Sequence, residues 1–260
     1  MTSLPSTAIY NRVPRVTADF WLIKLMAVTM GETAADYLSV QLGLGLAGTS
    51  MLMTLVLAAA LVWQFMQRRY APAPYWLAVV LISVVGTLVT DNLVDNFHVP
   101  LEVTTAAFSV ALAATFIAWY RSEKTLSIHS IFTFRREAFY WLTILFTFAL
   151  GTAAGDLVAE RFALGYFATG ILFAMIIISL SAGYFFLGLD SILAFWLVYI
   201  LTRPLGASLG DLLSQQRMYG GLGLGTVVTS ALFLAIIVVI VIGMTIRHRG
   251  EELAPVPLAK

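Results

Sequence analysis

One pattern, written four times, limits what this chain can fold into: aromatic residue, Trp, nine residues, Gly, four residues, Asp. The copies are Phe20-Trp21 with Gly31 and Asp36, Tyr75-Trp76 with Gly86 and Asp91, Tyr140-Trp141 with Gly151 and Asp156, and Phe195-Trp196 with Gly206 and Asp211. Between its landmarks each copy is apolar enough to read as a membrane helix. The first copy, WLIKLMAVTMGETAAD, nevertheless carries Lys24, Glu32 and Asp36. Charges in such a helix are expensive, so they demand a partner or a use.

The tryptophans stand 55, 65 and 55 residues apart, which makes each repeat one motif helix plus one plain helix. The chain is 60% hydrophobic and only 11% charged, the balance of an integral membrane protein. At ~20 apolar residues per crossing, its 260 residues accommodate about eight helices with short loops. The fold expected is all-α, eight transmembrane helices in four two-helix repeats. They run at about 18–41, 46–67, 75–96, 100–120, 138–161, 164–187, 191–214 and 222–246. Two crossings per repeat make the repeats parallel, all motif helices pointing one way.

The extra ten residues of the middle spacing fall in a polar connection. The chain therefore divides into a lead (1–17), repeats one and two (18–120), a linker (121–137), repeats three and four (138–246) and a tail (247–260) expected to be disordered. The lead, with Pro5 and Pro14, reads as irregular and not as a cleavable signal peptide. Pro72 and Pro74 mark a turn, as do Gly43 and Gly45.

Lys and Arg placement orients the helices. Arg12, Arg15, Arg68, Arg69, Arg121, Lys124, Arg135, Arg136, Arg247 and Arg249 share one side; only Arg161 and Arg217 fall on the other. The positive-inside rule puts the first side, with both termini, in the cytosol. The net charge of +1 gives no nucleic-acid footprint, so the expected partners are the bilayer and a small solute, with homo-oligomerisation open.

Trp to Asp is ~22 Å of helix rise. With each Trp in a cytosolic aromatic belt, each Gly lies near the midplane and each Asp in the outer half. Gly151/Gly155 and Gly206/Gly210 are GxxxG pairs, which favour close packing. Motif helices 1, 3, 5 and 7 are expected at the centre, with the plain helices around them. Carboxylates recur at i,i+4 as Glu32/Asp36, Asp91/Asp95 and Asp156/Glu160, giving way to Asp211/Gln215 in the fourth copy. Such pairs share a helix face. Four faces make a ring of oxygen ligands, to which Asn92, Thr87, Thr90, Thr152 and Ser208 could add neutral oxygens. With no Cys, and with His98, His129 and His248 expected in loops or tails, the donor set is hard oxygen. It suits H⁺, Na⁺, Mg²⁺, Ca²⁺, Mn²⁺ or a trivalent hard ion.

The bland alternative is that Lys24 and Arg203 neutralise Glu32 and Asp211 in structural pairs. Carboxylates outnumber these bases, however, and each central charge costs roughly 2.5–3.5 kcal/mol on the insertion scale. Lys24, Glu32 and Arg203-Pro204 each occur in one copy only, so symmetry is broken at the site, and Pro204 should kink its helix. An enzyme is not expected. AAGD (153–156) and SLGD (208–211) are not the GxGD of intramembrane aspartyl proteases, and no Ser-His arrangement can be built in the membrane.

The stretch NRVPRVTADFWLIKLMAVTMGETAADYLSVQLGLG resembles the opening of a bacterial family of small multi-pass membrane proteins defined by a fourfold repeat of unknown function. Val13-Pro14, Thr17, Phe20-Trp21, Lys24, Gly31-Glu32-Thr33 and Asp36 carry the resemblance, and the later copies extend it over nearly the whole chain. It implies predicted membrane-anchored proteins and, at most, a link to metal tolerance, including aluminium resistance. In style the acidic helices also look like those of cation exchangers and manganese exporters.

The expected function is therefore transport of a hard cation, a metal ion such as Mn²⁺ or one coupled to H⁺ or Na⁺. Glu32, Asp36, Asp91, Asp156 and Asp211 would be ligands or proton carriers, and Lys24 and Arg203 counter-charges or gates. A bound divalent metal ion is the one cofactor-like group this suggests. The alternative is a non-transporting membrane scaffold, or a small-organic-molecule carrier, with structurally paired charges.

Overall fold

The computed structural model describes residues 11–253. Among them are eight α-helices and no strand: α1 (Ala18–Asp36), α2 (Gly45–Phe65), α3 (Pro72–Asp91), α4 (Leu101–Glu123), α5 (Phe134–Asp156), α6 (Gly165–Leu187), α7 (Ser191–Ser214) and α8 (Thr226–Leu253). Seven of them, α2 to α8, are long and apolar enough to cross a membrane. By length and composition this is an all-α, multi-pass membrane protein. The exception, α1, holds Asp19, Lys24, Glu32 and Asp36 within its 19 residues.

The boundaries depart from the sequence reading at three places. Pro72 and Pro74 do not sit in a turn but open α3, where the first-turn N–H groups have no helical partner to lose. The linker shrinks to 124–133. Lys124 closes α4 with φ of 57°, and the Thr133 hydroxyl caps α5 by accepting from Arg136 N at 3.3 Å. Helix α8 starts later than expected, after Gly220, Gly223 and Gly225 all turn at positive φ, and continues through Arg247 and His248 to Leu253. The tail is thus helical as far as 253; its remainder, and lead residues 1–10, lie outside the described residues.

Helices α1, α3, α5 and α7 form a closed inner ring in chain order, α7 returning to α1. Each plain helix packs on the motif helix of the next repeat: α2 on α3, α4 on α5, α6 on α7 and α8 back on α1. Burial divides the helices the same way. The apolar windows of α3, α5 and α7 are 67%, 56% and 50% buried, against 11–17% for α2, α4, α6 and α8.

The motif glycines hold the ring together by one rule. Each receives the residue seven places after the motif Trp of the next repeat: Gly31 faces Ser83, Gly86 faces Phe148, Gly151 faces Arg203, and Gly206 faces Val28. A Cβ at any of the four would lie under 3.0 Å from that neighbour. Only glycine lets the backbones approach this closely.

The motif aromatics do not form a lipid-facing belt. Trp76, Trp141 and Trp196 are buried, as are Phe20, Tyr75 and Tyr140. They close the ring at the end that also carries Arg12, Arg68 and Arg136, called here the basic end. Tyr75 and Tyr140 join hydroxyls at 2.6 Å, and Trp196 donates to Leu126 O at 2.9 Å. Part of the irregular lead is pinned over this end. Asn11 donates to Ile128 O and accepts from Ile131 N, both at 3.0 Å, and Arg12 pairs with buried Glu137 at 2.6 Å.

A candidate cation cavity

The side chains that matter are ordered by the repeat. Counting from each motif Trp, position +11 is Glu32, Thr87, Thr152 or Ala207, and position +15 is Asp36, Asp91, Asp156 or Asp211. The closed ring turns each set into a layer across the bundle.

Arg203 occupies the centre of the +11 layer. It comes from α7, one helical turn below, and the space beside Gly151 admits its stem. Its guanidinium donates to Glu32 Oε2 at 3.0 Å, to Thr152 Oγ1 at 2.7 Å, and to Thr87 Oγ1. Thr87 also donates to Glu32 Oε2 at 3.1 Å. The base thus meets all three polar members of the layer; the fourth, Ala207, lies on its own helix. Arg203 is fully buried and Glu32 is 6% exposed, so each side chain depends on the other.

Lys24 behaves differently. No carboxylate among the described residues pairs with it. Its ammonium donates to Tyr199 O and Thr202 Oγ1 and lies 3.5 Å from the centre of the Tyr199 ring. Here α7 approaches Pro204, a residue with no N–H to donate. Lys24 is a cation held by a carbonyl, a hydroxyl and a ring face. Its separation from Glu32 has a simple cause: eight residues along one helix are ~12 Å.

Above the +11 layer the ring opens into a cavity of about 220 Å³. Its walls bring together all five acids singled out from the sequence: Glu32, Asp36, Asp91, Asp156 and Asp211. Asp95 and Glu160 also line it, at exposed positions toward the mouth, and Tyr166 donates to Glu160 at 3.3 Å. After Asp36, Asp91 and Asp156 the helices loosen into π-helical turns, Tyr37–Gln41, Asn92–Asn96 and Leu157–Arg161. Such turns are uncommon and are often found at functional sites. Asp211 has no such turn after it; α7 stops at Ser214 and a glycine-rich loop folds back, with Gly223 N donating to Gln215 O at 2.9 Å.

The neutral oxygens are not those expected. Thr87 and Thr152 serve Arg203; Thr90 donates to Ala149 O at 3.0 Å; Asn92 donates to Ser50 at 2.6 Å and fastens α3 to α2. None of them, nor Ser208, lines the cavity; Ser39, Tyr166 and Gln215 do. Their signal was available, since all three follow a motif Asp by three to ten residues. Among the described residues no three His, Asp or Glu side chains converge closely enough to hold one metal ion directly.

A second ionic site lies at the basic end, outside the repeated motif. Glu137, at the basic end, is fully buried and accepts from Arg12 at 2.6 Å, Gln64 at 2.9 Å and Trp141 at 3.4 Å. Its partners lie up to 125 residues away, and no local pattern announces them. A larger hollow of about 730 Å³ lies at the same end beside Trp21, Tyr184 and Phe195. Its ionisable residues are Arg15, His129 and Tyr184; it contains no acid and is separate from the cavity.

No curated protein and no solved structure matches the chain. A family model does, four times, over residues 20–70, 74–125, 139–188 and 194–249, so each match contains one motif helix and its plain helix. The chain accordingly belongs to the family built from the Repeat of Unknown Function (DUF347).

Proposed function

We propose that this protein carries a hard metal cation across a bacterial inner membrane, with the basic end in the cytosol and the acidic cavity opening to the other side. One observation carries the reading. Seven carboxylates line a single cavity within the inner ring, and among the described residues only one of them, Glu32, has a base against it. Uncompensated acids at such depth mark an ion path far more often than a packing device.

Arg203 is the resident counter-charge. It stands behind Glu32, which lines the cavity, and joins its own helix to the other three inner helices through Glu32, Thr87 and Thr152. A cation arriving among the aspartates competes with it for Glu32. The Pro204 discontinuity gives α7 somewhere to bend as that competition is resolved. Beyond Arg203, the aromatic layer seals the ring, as expected of a transporter closed at its cytosolic side. The scaffold alternative draws on the complete Glu32–Arg203 pairing, but it leaves Asp36, Asp91, Asp156 and Asp211 unexplained.

The test is metal-dependent flux in proteoliposomes, comparing wild type with Asp36→Asn and Asp156→Asn. Both variants should lose most of the flux. If each matches wild type for every ion that moves, the cavity is not the path.

A further inference from the structure

We infer that the cavity takes a divalent cation with its water shell kept, an ion of the Mg²⁺ kind, bound through its waters and not by direct coordination. This rests on the cation-transport reading and specifies the substrate for it.

The first observation is a mismatch between charge and reach. Asp36, Asp91, Asp156 and Asp211 come from four different helices and face one space, yet among the described residues no three acidic side chains are grouped to hold a bare ion. The motif glycines, one turn below, set the helix separation by close contact, with Gly206 against Val28 and Gly151 against Arg203. The walls are therefore propped at their spacing. An ion bound directly, at ~2.0–2.6 Å from its oxygens, would leave most of the ring without a ligand.

Volume supplies the second observation. At ~30 Å³ per water, 220 Å³ holds about seven waters. An octahedral ion with ~6 waters has room there. Mg²⁺ dehydrates reluctantly and usually keeps several of its waters when bound.

The third is hydrogen-bonding character. The lining is rich in acceptors and poor in donors. Asp211 is only 8% exposed and lines the cavity; its backbone carbonyl accepts from Gln215 N at 2.9 Å, but no described residue donates a hydrogen bond or ion pair to its carboxylate. A buried carboxylate left so is costly unless a ligand brings the donor. A water shell brings O–H donors in all directions and can satisfy four carboxylates on four walls at once. The four unpaired aspartates also favour a multiply charged guest.

The discriminating probe is hexaamminecobalt(III), a cation shaped like hydrated Mg²⁺ whose ammine ligands do not exchange. Titration calorimetry on the full-length chain in detergent should show it binding one site, at least as tightly as Mg²⁺ and in competition with it. Asp211→Asn and Asp156→Asn should each weaken both ions by tenfold or more. Glu102→Gln, which removes an exposed partner of Arg161 outside the cavity, should change neither. Two acid variants are used so that misfolding of one, seen as aggregation on gel filtration, does not decide the result. If Mn²⁺ binds and hexaamminecobalt(III) does not, the water-shell inference falls while the cation site stands. If spermidine binds in place of both metal probes, the guest is an organic cation and the inference falls. If nothing binds, the proposed function falls with it.

Discussion

The two halves of the inner ring are made of the same four helices and handle polar groups in opposite ways. Toward the basic end the layers are filled with aromatic rings, and Lys24 and Arg203 are both gripped by named partners. Toward the acidic end the ring encloses a void, and of the seven carboxylates that line it only Glu32 is paired with a base among the described residues. The difference teaches where stability and function reside. Packing and pairing in one half hold the ring closed, and that closure is what lets the other half keep like charges together. Four substitutions test this division, ordered by their expected cost to the fold.

Arg203→Met should be the most damaging, because it strands Glu32 in a buried layer; about 3–5 kcal/mol is the cost of breaking such a pair. Adding Glu32→Met should recover most of the loss in thermal unfolding. A double variant no more stable than the single one would show that the pair does not close the ring.

Next comes Gly206→Val. Its Cβ would collide with Val28 and should cost about 1–3 kcal/mol by overpacking. Gly183→Ala, whose Cβ would meet Leu189 at an ordinary 3.8 Å, is the control. Equal melting temperatures for the two would refute the glycine rule.

Tyr75→Phe removes one buried hydroxyl bond from the aromatic layer and should cost about 1 kcal/mol. A larger loss would mean that the layer acts as a connected network.

Last is Asp211→Asn, expected to change stability by no more than about 1 kcal/mol, and upward if at all, since it removes an unpaired charge from a buried site. Flux should nevertheless collapse. A stabilised variant with full flux would break the assignment of function to the acidic half.

Most of the fold could be read from the repeat. Its period set the number of helices, their common direction and the central place of the motif helices, because every copy must bury the same face. The acids were legible for the same reason, being placed by the motif. What could not be read was pairing across the ring. That Arg203 would take Glu32 and not Asp211 depends on which helix follows which around a closed ring. The repeat does contain part of the answer: Arg203 lies four positions below the +11 layer, within reach of a long side chain, whereas Lys24 lies eight below it. Glu137 was hidden more deeply, because its bond to Arg12 crosses from the lead to the first turn of α5 and follows no period.

The closure of α7 on α1 also bears on how the molecule is made. Glu32 leaves the ribosome in the first helix, and Arg203 follows 171 residues later. At ~5–20 residues per second, the acid waits roughly 10–30 s for its base. During that interval α1, with four charged residues among its 19, lacks both α7 and its outer partner α8. The first helix to be synthesised is thus the last to be completed. A chain stopped before α7 should leave α1 unable to hold its place in the bilayer and open to the quality-control proteases of the membrane.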